Sequence, residues 1–369
     1  MKKKNCSLPK IIICHREITI LSTIGQDILG MYKLLSLMRF HVVIAGEKID
    51  SEISDIYQTQ LTKNMSFNDY DILIYHHHDS WSHGHNILNH FTGSIIVKYH
   101  GHIPAYFFES YSYVLENQAE QNVEQIHAMA RSLPVNLWLT NSEFTKQELL
   151  KQKLCDSKVC VVPLFNKIQV KSRKMLQQGQ IKRILFAGDF SPQSGHKNLI
   201  NIIHEFTKRF DEEIELLLVG PLDPELHGYF AEITRTAHNL KIENNVKFVT
   251  NVSSNDLDDF YELADLFLCM SEGESFNLAI LRAQSCGLPV ITTKNGALSE
   301  IMGDLPVWPL PINDHYIFYA TLINEVLGNS KYYRTLTQCG INNVSNQFLN
   351  HHIERKFVKA IYPVLKEYI

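Results

Sequence analysis

Two α/β domains, each built on an open parallel sheet, are what this sequence predicts, and three observations predict them. Short apolar runs alternate with helix-like segments from Lys10 to Thr292, the pattern of a parallel sheet covered on both faces. The alternation breaks once, in the polar and basic stretch Asn166 to Lys182, which has no strand pattern and reads as a linker. At 369 residues the chain is also long for a single core.

In the first domain, Lys10 to Cys14, His41 to Ala45, Asp71 to Tyr75, Ser94 to Tyr99, Leu137 to Thr140 and Val159 to Pro163 read as strands. Between the first two lies Gly25 to Met38, where Ile28, Met31, Tyr32, Leu35 and Met38 form an apolar helical stripe. The helix Ser142 to Gln152 opens on Asn141-Ser142-Glu143, a capping residue followed by a negative first turn.

Beyond the linker, Ile184 to Ala187, Ile214 to Val219, Val246 to Phe248, Leu266 to Met270 and Pro289 to Thr292 read as strands. Helices such as Asn198 to Arg209 and Ser254 to Ala264 lie between them. The expected boundaries are a first domain over 1–165, a linker over 166–182, a second domain over 183–345 and C-terminal helices over 346–369. Two such sheets would face each other across a cleft, and their ligands bind beyond the carboxyl ends of the strands.

The most informative segment is Ser271 to Ile291, SEGESFNLAILRAQSCGLPVI. It follows the strand Leu266 to Met270, whose end is marked by polar Ser271 to Ser275. A helix is expected to begin near Phe276, with Leu278, Leu281 and Ala283 at helical spacing and Gly287 where a helix stops. Unpaired N–H groups at such a helix start, with the positive end of its dipole, suit an anion such as a diphosphate. A carboxylate, Glu274, stands beside them.

Composition narrows the class. Hydrophobic residues at 45% and charged residues at 20% are those of a soluble globular protein, and a net charge of −4 argues against nucleic acid as a partner. The seven cysteines lack the paired short spacings of zinc or redox sites. Cys14, Cys160, Cys269 and Cys286 lie in or beside apolar runs and read as small buried hydrophobes in a reducing compartment. The Met1-Lys2-Lys3-Lys4 start has no apolar run of signal-peptide length, and no stretch approaches the roughly 18 to 20 apolar residues of a membrane span. A cytoplasmic protein is expected, and the basic stretches Lys2 to Lys4 and Lys171 to Lys182 leave open a peripheral position at the inner face of the membrane.

The order Ser271, Glu274, Phe276, Leu278, Ala283, Gly287, Pro289, Val290 resembles the donor-sugar motif of family-4 glycosyltransferases. In that motif a Ser-x-x-Glu-Gly-Phe-Gly-Leu-Pro-x-x-Glu-Ala segment precedes an x-x-Gly-x-Pro-Val-Ile strand. The run from Phe248 through Leu257, Tyr261 and Ala264-Asp265 to Leu266 looks like the family's approach to that loop. Lys98-Tyr99-His100 with Pro104 and Phe107-Phe108-Glu109 is similar to a Lys-Tyr-His-x-x-x-Pro segment of one bacterial branch, and Asn141 to Phe144 and Val162-Pro163-Leu164 also fit it.

The resemblance implies the GT-B fold. Its first Rossmann-like domain is the acceptor side, its second binds the nucleotide sugar, and the last helices, His351 to Ile369 here, cross back to the first. It implies a retaining glycosyltransferase of the hexosyltransferase type that moves a sugar from a nucleotide-sugar donor to a glycan or lipid-linked acceptor in bacterial surface polysaccharide biosynthesis. Neither a metal nor a cofactor is expected. By the same resemblance Glu274 contacts the donor sugar, and His100, at the carboxyl edge of its strand, contacts the sugar or the leaving-group region. Gly25 and Gly188 let backbone approach the donor, and the N–H groups of Ser275, Phe276, Asn277 and Leu278 meet the diphosphate.

Three positions depart from the motif. Asp189 stands where relatives carry an arginine, Ser194 where they carry a lysine, and Arg282 where a second glutamate holds the ribose. A carboxylate in place of a cation beside a diphosphate reverses a term on the order of several kcal/mol in a partly dry cleft. Lys197 or Arg282 is expected to supply the missing charge, although Arg282 cannot accept hydrogen bonds from a ribose. The same departures support an alternative, a non-catalytic GT-B homologue that binds a partner enzyme or a glycan.

The segment Tyr75 to His85, YHHHDSWSHGH, invites a metal reading. It follows a predicted strand, reads as a cleft-facing loop and lacks a ligand spacing, so an acceptor-side or surface loop is expected in place of a metal site. Tyr106, Phe107, Phe108, Tyr111 and Tyr113 read mainly as core, with an acceptor groove as the alternative.

Overall fold

The structure is a computed structural model and describes residues 8–20, 22–171, 181–250, 252, 254–306 and 315–368. The Lys2 to Lys4 start, most of the predicted linker, Asn251, Ser253 and Ile369 lie outside the described residues. In chain order the elements are β1 Lys10–Cys14, β2 Glu17–Ile18, α1 Thr23–Leu37, β3 His41–Gly46, β4 Lys48–Ile49, α2 Ser51–Ser54, β5 Thr59–Leu61, β6 Ile72–His77, α3 Ser82–His90, β7 Ser94–Tyr99, α4 Tyr113–Ser132, β8 Leu137–Thr140, α5 Glu143–Leu150 and β9 Val159–Val161. They continue with β10 Lys182–Ala187, α6 His196–Arg209, β11 Ile214–Gly220, α7 His227–Asn239, β12 Val246–Thr250, α8 Ser254–Leu263, β13 Leu266–Cys269, α9 Leu278–Ser285, β14 Val290–Thr292, α10 Leu298–Met302, α11 Tyr316–Gly328, α12 Ser330–Gln347 and α13 Asn350–Leu365.

The chain divides into two compact units, one of residues 1–102, 118–167 and 350–369, the other of residues 103–117 and 168–349. The first unit carries a seven-stranded sheet in the order β5-β3-β1-β6-β7-β8-β9, and the second a five-stranded sheet in the order β12-β11-β10-β13-β14. Every pairing in both is parallel, as the alternation of apolar runs and helices predicts. In each sheet the strand order reverses beside the first strand, which opens a crevice at the carboxyl ends of β1 and β6 and of β10 and β13.

The period of two along a strand explains how the first unit is layered. Ile11, Ile13, Ile72, Ile74 and Ile96 point to one face and pack with Ile28, Met31 and Leu35 of α1 and with Ile353, Phe357 and Ile361 of α13. Ile12, Leu73, Tyr75, Ile95, Val97 and Tyr99 point to the other, against Leu88 of α3 and Ile126 and Met129 of α4. The last helix is therefore part of this core. Its side-chain amide at Asn350 also pairs with the Asn166 backbone, accepting from the N–H at 3.1 Å and donating to the carbonyl at 2.7 Å.

Two expectations change here. The histidine-rich segment is mostly regular structure, because β6 continues through His77 in register with β7 and α3 starts at Ser82. Residues 113–132 form α4, a 20-residue helix that the aromatic-groove reading passed over; its good helix formers bury Asn122, Ile126 and Met129 at helical spacing. The ring of Phe108 is buried, whereas Tyr106 and Tyr113 are exposed.

Phe357 sits fully buried with its ring 5.7 Å from that of Phe165. Phe357→Ala is expected to lower unfolding free energy by about 3 to 5 kcal/mol, and Tyr362→Ala, on the exposed side of α13, by less than about 0.5 kcal/mol. Urea denaturation of the two variants measures the difference.

Candidate active site

In the second unit the loop between β13 and α9 is held by its own side chains. Asn277 is the N-cap of α9: its amide oxygen accepts from Ile280 N–H at 2.9 Å, while its amide nitrogen donates to Glu274 Oε1 at 3.0 Å. The helix thus starts at Leu278, two residues later than the spacing suggests, because the polar side chain of Asn277 competes for the first-turn donors. Burial pushes the Glu274 carboxyl up to about 7, and the nearby Asp189 carboxylate adds to the rise, against hydrogen bonds from Ser271 and Asn277 that lower it.

The backbone of Glu274 is pinned from the next loop. Ala297 N–H donates to the Glu274 carbonyl at 2.9 Å, and a Cβ on Gly296, which has φ +53°, would lie 2.1 Å from that oxygen. Asn295 Nδ2 donates to the Ser271 carbonyl at 3.3 Å and to Thr293 Oγ1 at 3.0 Å. These residues went unnoticed in the sequence, where the Asn295-Gly296 pair was the available turn signal.

The loop after β10 closes the other side. A Cβ on Gly195, with φ +74°, would sit 2.2 Å from the Met270 carbonyl, so this glycine allows the start of α6 to touch the end of β13. Gly188 N–H bonds the Val219 carbonyl at 3.0 Å. Ser194, buried, donates from Oγ to the Asp189 carbonyl at 2.8 Å, and Glu272 N–H donates to the Gln193 carbonyl at 2.8 Å. Ser275 and Phe276 lie on the same loop, half-buried, with the Phe276 ring 6.2 Å from that of Phe348.

The two cations expected to replace the missing charge are engaged elsewhere. Lys197 Nζ lies 2.6 Å from Glu232 and donates to Tyr111 Oη at 2.9 Å. Arg282 Nε donates to Asp258 Oδ1 at 3.0 Å, a second guanidinium nitrogen contacts the same oxygen, and the group stacks over Tyr261 with Cζ 5.2 Å from the ring centre. A neighbouring carboxylate thus pairs with each of the two cations that the sequence offers in place of the missing charge.

In the first unit the alternation along β6 and β7 puts His76, Lys98 and His100 on the α1 side of the sheet. All three are buried, as is Asp27 of α1. His76 Nδ1 lies 2.9 Å from His100 Nε2 and 3.8 Å from Asp27 Oδ2, and His100 Nδ1 lies 3.3 Å from Asn141 Nδ2. Asp27 Oδ1 accepts from Phe165 N–H at 2.9 Å, and Lys98 Nζ donates to the Val162 carbonyl. Burial holds both His76 and His100 well below the usual imidazole range, so both are neutral near pH 7. His76 belongs to the histidine-rich segment weighed above as a metal site, but nothing in its local segment or in that of Asp27 marks either as a partner of His100.

Gly25 lies inside the first turn of α1 and not in a preceding loop. The space left by its missing Cβ is taken by the Thr19 carbonyl, 1.9 Å from where that atom would be.

Residues 168–336, which lie in the second unit, match the family described as glycosyl transferases group 1. Over 124 residues the chain is 33% identical to D-inositol 3-phosphate glycosyltransferase 2 of Catenulispora acidiphila, a match covering 33% of this chain and 29% of that protein. Over 172 residues it is 28% identical to the N-acetyl-alpha-D-glucosaminyl L-malate synthase of Bacillus anthracis, covering 46% of this chain and 43% of the relative. The chain thus spans less than half the length of these curated relatives. Anabaena Alr3699/HepE, solved in complex with UDP and glucose, superposes with a TM-score of 0.72 over 96% of this chain and 100% of its own, at 15% identity. The fold is GT-B, with two Rossmann-like units. No described helix is long and apolar enough to cross a membrane.

The Glu274 carboxyl keeps its proton to higher pH when folded than when unfolded, so between pH 4.5 and about 7 the folded state binds more protons and stability falls as pH rises. Glu274→Gln is expected to flatten this slope and to gain on the order of 2 kcal/mol over wild type at pH 8. Denaturation midpoints from pH 5 to 8 measure it.

Proposed function

We propose that the chain is a retaining glycosyltransferase that moves a sugar from a nucleotide-sugar donor to a glycan or lipid-linked acceptor, in the building of a bacterial surface polysaccharide or related glycoconjugate. The observation that carries the reading is Glu274, held by Asn277 at the start of α9, inside the segment that matches glycosyl transferases group 1. A carboxyl in that position accepts hydrogen bonds from two sugar hydroxyls, and N–H groups at the start of α9 donate to the diphosphate. The leaving diphosphate gains charge as the anomeric bond breaks, so donors fixed in advance stabilise the transition state more than the ground state. The acceptor hydroxyl attacks the face from which the diphosphate leaves, which preserves the anomeric configuration. No metal is assigned to the transfer. UDP and glucose, the ligands named for the Anabaena structure, are a nucleotide and a sugar, the two classes of donor part this reading calls for.

A second reading has an observation of its own. With Lys197 bound to Glu232, Arg282 bound to Asp258 and Asp189 close enough to raise the Glu274 carboxyl, the loop is acidic where a donor diphosphate would need cations. This favours a GT-B homologue that binds a glycan or a partner enzyme without transferring sugar.

Thermal unfolding with UDP, GDP, ADP and dTDP, with and without magnesium, separates the two. For the transferase, one nucleotide at about 100 times its Kd stabilises the fold by about 2.7 kcal/mol, and the matching nucleotide sugar is consumed at a rate that Glu274→Ala lowers at least 100-fold. A rise with none of the four counts against transfer and favours the second reading.

A further inference from the structure

We propose that Asp27, His76 and His100 form a binding site for a divalent transition-metal ion at the carboxyl edge of the first unit's sheet. Three elements that meet beside the strand-order reversal build it: α1 supplies Asp27, the end of β6 supplies His76, and the residue after β7 supplies His100. One ligand atom from each lies within 4.8 Å of the other two, and each of the three residues is buried. Two imidazoles and one carboxylate are the donor set of a three-ligand site for borderline divalent ions.

An orphaned atom points to a ligand more directly than the donor set does. Asp27 Oδ2 is buried without a hydrogen-bond partner, 3.8 Å from His76 Nδ1. One proton shared between His76 Nδ1 and His100 Nε2, 2.9 Å apart, satisfies those two nitrogens and leaves the carboxylate oxygen unpartnered, as is the other ring nitrogen of His76, Nε2. Lys98, the cation on the same face, directs its ammonium to the Val162 carbonyl and acts on Asp27 through its charge, which opposes the rise that burial imposes on that carboxyl, and not through a hydrogen bond to Oδ2. A metal ion would satisfy all three lone pairs together. Bonds of about 2.1 Å put neighbouring donors roughly 3 to 3.5 Å apart; two of the separations here are 2.9 and 3.8 Å, and the third lies within 4.8 Å. With both imidazoles ligating, His100 carries its hydrogen on Nδ1, facing the Asn141 amide. The oxygen of that amide is itself buried and unpartnered, and an amide rotation turns it into the acceptor.

The site departs from the expectation of a chain without a metal and rests on the first unit alone, and its ligand His100 is the residue that the sequence resemblance assigns to the donor sugar or leaving-group region. The test uses the full chain, stripped with a chelator and titrated with Co²⁺ or Zn²⁺ alone. One tight equivalent is expected, with a cobalt visible spectrum that lacks a thiolate charge-transfer band. Asp27→Asn and His76→Gln each weaken it at least 100-fold, and replacing exposed His83 and His351 by Gln leaves it unchanged. Since the first two changes lie in the core, electron spin echo spectroscopy of Cu²⁺-loaded wild type gives a readout without mutation, and two coordinated imidazoles are expected. Absence of a tight equivalent, tight binding that survives both core replacements, a thiolate band, or any other imidazole count overturns the site.

Discussion

Asn277 is the side chain on which the second unit's site depends. Its two amide ends do different work: the oxygen begins α9 by capping the Ile280 N–H, and the nitrogen holds the Glu274 carboxyl. A cap of this kind is worth about 1 kcal/mol to the helix, but its larger effect is on register. It sets which N–H groups stay unpaired at the helix start and where the carboxyl stands relative to them. Gly296 and Gly195 complete the arrangement from either side, each bringing backbone to within a distance that no side chain allows.

Much of this fold was legible because parallel sheets write themselves into sequence. Strands buried on both faces read as uninterrupted Ile, Val and Leu runs, so β1, β3, β7, β8 and β11 could be placed within a residue or so. α4 was harder to see, since Leu115 to Ser132 is mostly polar and only Asn122, Ile126 and Met129 are buried. The start of α9 was misplaced by two residues because a capping side chain, not the apolar period, decides it. Glu274 stood out through its neighbours in sequence. His76 stood out only as one of a run of histidines, and its pairing with Asp27 and the roles of Gly195 and Gly296 did not, because they lie in contacts between residues distant along the chain.

Charge is where the two units differ most from a simple donor site. Lys197 and Arg282 have the right sign but are held by Glu232 and Asp258, and Asp189 adds negative charge near Glu274. A diphosphate bound here would rely chiefly on the N–H groups of the loop and the α9 dipole. In the first unit, burial keeps the histidines neutral and leaves Asp27 with one oxygen unpartnered. Both loci occupy the carboxyl edges of their own parallel sheets, the place where open α/β folds bind ligands.

The central claim is that Glu274 reads the sugar while the α9 start reads the diphosphate, and calorimetry on one isosteric variant tests it. Wild type and Glu274→Gln are each titrated with the nucleotide diphosphate that binds and with its sugar conjugate. The account predicts that the variant loses affinity for the conjugate at least tenfold, about 1.4 kcal/mol, and keeps its affinity for the free nucleotide. Equal losses for both ligands, or no loss for the conjugate, would contradict it.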